Sequence, residues 1–265
     1  MSRFWRRLLG RPRSGVPALP AADWLVAHRG YPACFPENSM AGLEAALTLG
    51  ARWLEIDVQL TADRVPVVLH DRHLERLAGW DAQVSELPFD ALAALRLRPP
   101  GLAEAMAGEN PIPTLVDALK LLGQCPQATL FMELKRPSVR HFDRQALVDA
   151  VAPLVRGHRR LVAISFDLQL LERLRQQVSL PIGWVIRRSD AAVQKRARQA
   201  GVQWLFCRHD RLPDPLWPGF RWVSYTINDL DHARLLHYQG VELVETDDIG
   251  GLLAQCELEA ARRLS

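Results

Sequence analysis

The chain has little that would mark it for disulfide bonding, for a membrane or for nucleic acid. Its four cysteines, Cys34, Cys125, Cys207 and Cys256, lie far apart with no C-x-x-C pair. That removes a zinc knuckle or a redox dithiol and leaves reduced thiols in a cytoplasmic protein as the expectation. No run approaches the roughly eighteen apolar residues that a membrane span requires. Charge of one sign is also scarce: 33 Lys and Arg stand against 30 Asp and Glu, a formal net charge of +3. This mild excess suits a small anionic substrate and lacks the clustered cationic face of a nucleic-acid binder. Past Asp23 there is neither a low-complexity tract nor a sequence repeat.

At 265 residues and 48% hydrophobic content, the chain can bury one large core without dividing. The opening MSRFWRRLLGRPRSG has a basic flank, but its apolar stretch is too short for a signal peptide, so no secretion is expected. Phe4, Trp5, Leu8 and Leu9 among arginines offer a short helix for weak contact with an anionic membrane surface; a loosely docked terminus is the plainer expectation. Residues 1–22 therefore read as a basic extension and 23–265 as one domain, cytoplasmic and at most peripheral to the inner membrane face.

From Asp23 onward, short β-rich runs alternate with segments of helical period, the signature of an α/β fold. WLVA, WLEIDVQL, VPVVLH, TLFMELK, LVAISF, PIGWVI, VQWLFC, RWVSYTI and VELVET read as strands. Segments 39–49, 115–122, 145–155, 168–178, 191–200 and 230–238 read as helices, with Gly50, Gly123, Gly157, Gly201 and Gly240 as terminators. Nine strands exceed an eight-stranded barrel by one, and the T-A-D-R link between the second and third is too short for a parallel crossover. The reading is a slightly distorted (β/α)8 TIM barrel with that hairpin raised at its mouth. Residues 71–113, with one weak helix over 89–95 and a flexible part marked by Pro99, Pro100, Gly101 and Gly108, form an excursion over the rim.

Barrel enzymes carry their chemistry at the C-terminal ends of strands. His28 and Arg29 end the first run, His70 and Asp71 the third. Glu55 and Asp57, two apart on the second, share one face; Glu133 and Lys135 repeat that spacing on the fourth. Three converging carboxylates repel one another unless a cation sits among them, and oxygen ligands favour Mg²⁺ or Ca²⁺ over zinc. Arg29 and Lys135 add the positive charge of a phosphate site. His28 and His70 are candidates for general acid and base.

HRGYPACFPENS, EIDVQLTADRVPVVLHD and MELK resemble signatures of the glycerophosphodiester phosphodiesterase family, in its bacterial cytoplasmic-type form. SYTIND and ETDD extend the likeness across roughly 24–253. The resemblance implies Glu55, Asp57 and Glu133 as ligands of one divalent cation, His28 and His70 as the acid/base pair, and Arg29 and Lys135 as phosphate holders. Glu37 is expected to orient Arg29 and Asn38 to cap the first helix. Departures are Arg64 where a glycine is usual, RLAGWD after His-Asp, and Glu245 in place of an apolar residue, a fourth carboxylate if it points inward. Phe166, Trp184 and Tyr225 are candidates for an aromatic wall beside the alcohol portion of a substrate.

The activity so implied is metal-dependent hydrolysis of a glycerophosphodiester to sn-glycerol 3-phosphate and an alcohol. Two alternatives stay open: a lysophospholipase D acting on lysophospholipids, and a phosphoester-binding barrel without turnover. Oligomeric state is not legible.

Overall fold

The computed structural model describes residues 23–98 and 110–264. The basic extension and the stretch marked by Pro99, Pro100, Gly101 and Gly108 lie outside the described residues. Nine strands form one sheet: β1 (Leu25–Ala27), β2 (Trp53–Leu60), β3 (Pro66–Val68), β4 (Thr129–Leu134), β5 (Leu161–Ser165), β6 (Ile182–Ile186), β7 (Trp204–Arg208), β8 (Arg221–Tyr225) and β9 (Leu243–Thr246). Strand β1 pairs in parallel with both β2 and β9, and this closes an eight-stranded parallel barrel. The ninth strand, β3, folds back antiparallel on the end of β2 with Val58 opposite Val68, the hairpin that the T-A-D-R link requires. The fold is a (β/α)8 TIM barrel.

Helices between the strands begin where short polar residues satisfy free amides. Ser39 caps α1 (Met40–Thr48). Thr114 caps α4 (Leu115–Gln124), which follows two short rim helices, α2 (Glu75–Ala78) and α3 (Phe89–Ala93). After α5 (Arg136–His141), four aspartates, Asp143, Asp167, Asp190 and Asp229, cap α6 (Arg144–Val155), α7 (Leu168–Gln177), α8 (Ala191–Gln199) and α9 (Leu230–Tyr238). Gly50, Gly157, Gly201 and Gly240 take the left-handed backbone just past their helices. Gly123 does not: it lies inside α4, one turn earlier than a terminator would stand. The chain closes with α10 (Ile249–Leu264); neither it nor α2 is among the helices read from periodicity.

Alternation along the strands sends one set of side chains into the barrel. Its interior is closed by rings: Phe131 lies 5.2 Å from Trp204 and 5.0 Å from Phe206, both edge-on. Gly183 is what lets them close, since a Cβ there would stand 2.9 Å from Ile164 and from Phe206. The rim excursion has a small apolar cluster of its own, including Val67, Leu69, Leu74, Leu77, Leu92 and Leu97, all fully buried. It rides on the barrel through β3. Among the described residues no helix is long and apolar enough to cross a membrane.

Candidate active site

The polar residues read from the strand ends meet at the C-terminal mouth. His28, Arg29, Glu55, His70, Glu133 and Lys135 line one cavity of about 140 Å³, together with Ile164, Phe166, Val185, Phe206, Tyr225, Thr226 and Glu245. Parallel pairing explains how they arrive together: Asp57 stands opposite Glu133 across β2 and β4, in register. One oxygen from each of Glu55, Asp57 and Glu133 lies within 4.8 Å of the others. A second group of the same kind is formed by Glu37, His70 and Asp71.

Each histidine is fixed through the same ring atom. His28 Nδ1 is 2.8 Å from Asp247 Oδ1, which leaves Nε2 3.9 Å from Glu55 Oε2. His70 Nδ1 is 2.8 Å from Asp71 Oδ1. A carboxylate at Nδ1 favours the tautomer with Nδ1–H and so leaves the Nε2 lone pair free. Arg29 sits on a left-handed backbone, φ 55°, which turns its amide onto Glu55 Oε2 at 3.2 Å. Its Nη1 donates to Glu37 at 3.0 Å. Its Nε lies 3.1 Å from Asp57 Oδ2, an ion pair not aligned as a hydrogen bond. Lys135 Nζ stands 3.0 Å from both Asp57 and Glu133.

Glu37 is placed as expected, against Arg29. Asn38 is not: the cap of α1 is Ser39, whose Oγ accepts from the Gly42 amide at 3.1 Å. Asn38, also left-handed with φ 60°, turns inward instead. Its Nδ2 donates to Asp57 Oδ2 at 2.9 Å and its Oδ1 accepts from the Asp57 amide at 3.1 Å. A cap hydrogen-bonds the helix's own amides; this side chain holds a carboxylate in place. Phe166 and Tyr225 line the cavity but Trp184 does not, because Val185 is the inward residue and Trp184, with opposite parity, gives its indole N–H to the Phe166 carbonyl at 3.3 Å.

Several supporting groups had no signal in the sequence. Arg76 on α2 donates to both Glu37 oxygens at 2.7 Å and to Asp71 at 2.5 Å, tying the excursion to the loop that carries Arg29. Gln59 Nε2 gathers the carbonyls of Leu69, His70 and Asp71 at 2.8–3.0 Å and so fixes the His70 loop. Asp71 and Asp247 stood inside quoted motifs, and adjacency to a histidine was the available hint for Asp71.

Burial and charge set the protonation pattern. Burial works against ionised Asp57, but Lys135 and Arg29 outweigh it and hold that carboxyl far below the usual range. Glu55 has no such balance: burial, then the neighbouring Asp57 and Glu245 carboxyls, push it well above its ordinary value. Burial likewise pushes Glu245 up to about 7, and its Oε1 is buried without a hydrogen-bond partner. Burial draws His70 below the usual imidazole value. A buried acid cluster that the protein's own cations neutralise only in part fits a divalent cation, and an all-oxygen donor set fits a hard one.

Fold and site together define a TIM barrel whose mouth gathers acidic, basic and imidazole side chains in one cavity. The chain belongs to the glycerophosphoryl diester phosphodiesterase family, a family of phosphoric diester hydrolases, whose model matches residues 28–251. A Bacillus subtilis (strain 168) protein assigned as a glycerophosphodiester phosphodiesterase is 27% identical over 236 residues, 84% of this chain and 94% of that protein. The matched stretches span only 35% of a rat relative and 40% of a Caldanaerobacter subterraneus relative. Among solved structures, an Oleispira antarctica phosphodiesterase in complex with the product sn-glycerol-3-phosphate has a TM-score of 0.77 at 24% identity, covering 88% of this chain and 96% of that one. A Parabacteroides distasonis glycerophosphodiester phosphodiesterase has a TM-score of 0.74 at 23% identity, covering 90% and 98%.

Proposed function

We propose that the chain is a divalent-cation-dependent phosphodiesterase that hydrolyses glycerophosphodiesters to sn-glycerol 3-phosphate and an alcohol. The observation that carries this reading is the convergence, in a member of this family, of the Glu55, Asp57 and Glu133 oxygens within 4.8 Å of one another in a mouth that also presents His28, Arg29, His70 and Lys135.

Glu55, Asp57 and Glu133 would hold the cation, which when bound supplies positive charge beside a phosphoryl oxygen. Arg29 and Lys135 grip the phosphate and offset charge that grows on its non-bridging oxygens, at fixed positions that need no reorganisation. His70, which burial keeps neutral, takes a proton at Nε2 from the attacking oxygen as that oxygen forms its bond to phosphorus. The bond from phosphorus to the departing alcohol oxygen breaks, and that oxygen takes a proton from Nε2 of protonated His28. Asp247 and Asp71 steady the two rings and favour whichever form carries a proton. Asn38 and Glu37 keep Asp57 and Arg29 aimed at the same point.

The test is product identification with the purified full chain and added Mg²⁺ or Ca²⁺. A panel of soluble glycerophosphodiesters should release glycerol 3-phosphate. Lysophospholipid micelles, assayed with and without residues 1–20, bear on the lysophospholipase D reading, which greater release of lysophosphatidate than of glycerol 3-phosphate would favour. Binding of glycerophosphodiesters without release of glycerol phosphate under any added cation would overturn the hydrolase reading in favour of a binding barrel.

A further inference from the structure

Arginines near this mouth are neutralised almost wherever they occur. Arg29 and Arg76 share Glu37, Arg144 takes both oxygens of Asp167, and Arg208 pairs with Asp210. On the rim beside β5 the pattern breaks. Arg136, at the start of α5, and Arg187, just after β6, both stand over the single ring of Phe166, with Cζ 5.3 Å and 5.1 Å from its centroid. Arg140, one turn along α5, is close enough to repel Arg136. Among the described residues no carboxylate oxygen comes within ion-pair distance of any of the three. The two acids that act on Arg136 from farther off are already paired, Glu133 with Lys135 and Asp167 with Arg144.

Two guanidiniums on one ring repel each other, and the attraction of each to the ring quadrupole is modest at a half-exposed site. Burial, then Arg187 and Arg140, draw Arg136 below its usual range against the weaker opposite pull of Glu133 and Asp167. The loop bearing Arg187 is tied down, because its carbonyl accepts from Arg211 at 3.3 Å. The ring they share lines the same cavity as His28 and Arg29. Arg136 directly follows Lys135 in the chain, so the cation pair stands on the rim next to one of the groups that grip the phosphate, where a substituent of the departing alcohol would reach it.

We propose that Arg136 and Arg187, with Phe166 between them, form a subsite for an anionic substituent, a phosphate or carboxylate, carried by the alcohol portion of the substrate. This rests on the phosphodiesterase reading above and names the substrate class within it. Planar guanidiniums match such oxygens in bidentate fashion, which the compact ammonium of lysine would not.

A matched pair of probes isolates the effect: glycerophosphoinositol and glycerophosphoinositol 4-phosphate, which differ by one phosphate on the departing ring. The full chain should turn over the phosphorylated probe with kcat/KM higher by about tenfold, the scale of one charge-assisted contact, and the ratio should shrink as salt is added. In Arg136→Gln/Arg187→Gln the ratio should fall to about one. Dissociation constants for both probes, measured in EDTA where turnover is stopped, should show the same preference and the same loss. Equal kcat/KM and equal binding of the two probes by the unmodified chain would overturn the subsite, as would a preference that survives in the double variant. If neither probe is hydrolysed under any cation but the phosphorylated one binds more tightly through these arginines, the subsite stands and the phosphodiesterase reading falls.

Discussion

His28 and His70 are held alike, each through Nδ1 on an aspartate, and desolvation draws the His70 ring below the ordinary imidazole value. A base works only when unprotonated, so its contribution is lost as pH falls through its pKa. With that pKa below the usual 6.5, the acid limb of a kcat/KM profile should lie below pH 6.5, and His70→Gln should remove that limb along with most of the rate. Replacing either histidine by alanine should lower kcat/KM by about 10²- to 10⁴-fold, the usual contribution of a positioned acid or base, with an unchanged far-UV spectrum. Retention of the unmodified rate by one variant would remove that ring from the mechanism. The strand-end residues were legible because polar side chains on apolar runs demand a reason. Arg76 was not, since its link to Glu37 joins segments that no local pattern connects. Asn38 was misread as a cap because Asn and Ser are both good caps and stand side by side; only the left-handed turn decides which faces the helix.

At the level of the elements, the loop after β1 shows how backbone shape places chemistry. Gly30 takes φ 87°, and a Cβ there would stand 2.8 Å from the Gly42 carbonyl carbon in α1, too close for any side chain. Gly30→Ala should therefore cost more than about 1 kcal/mol, read as a lower urea midpoint, and should impair activity because Arg29 precedes it directly; an unchanged midpoint would mean that the loop shifts freely. Arg64 is the opposite case. It holds φ 62° in the turn between β2 and β3, a left-handed conformation that favours glycine, and its guanidinium stands 5.9 Å from the Phe142 ring centroid. Relief of a left-handed backbone at roughly 1 kcal/mol is set against a cation–π contact and added unfolded-state freedom of similar size. Arg64→Gly should thus change stability by less than about 1 kcal/mol, whereas the β-branched Arg64→Val should clearly destabilise. Period-two alternation places the carboxylates of β2 and β4 inward, and the same alternation on β6 puts Val185 rather than Trp184 in the cavity. Gly123 failed as a terminator because a glycine inside an amphipathic helix looks the same in sequence as one just past its end.

For the whole molecule, alternating strand and helix patterns plus one link too short to cross over were enough to reach a closed barrel with a hairpin, because parallel strands of this kind must be covered by helices on the outside. Helix α10 escaped notice since its apolar residues follow a motif rich in turn formers, and α2 because one turn of helix carries no period. The barrel brings together acids that sequence separates widely, and their shared need for positive charge is the centre of the account. A calorimetric titration of the EDTA-stripped full chain with Mg²⁺ and with Ca²⁺ tests it most directly. One ion per chain is expected to bind, with affinity falling by about tenfold or more in Glu55→Gln and in Glu133→Gln, the loss typical of a removed metal ligand or its support. Binding that is absent from the unmodified chain, or undiminished in both variants, would contradict it.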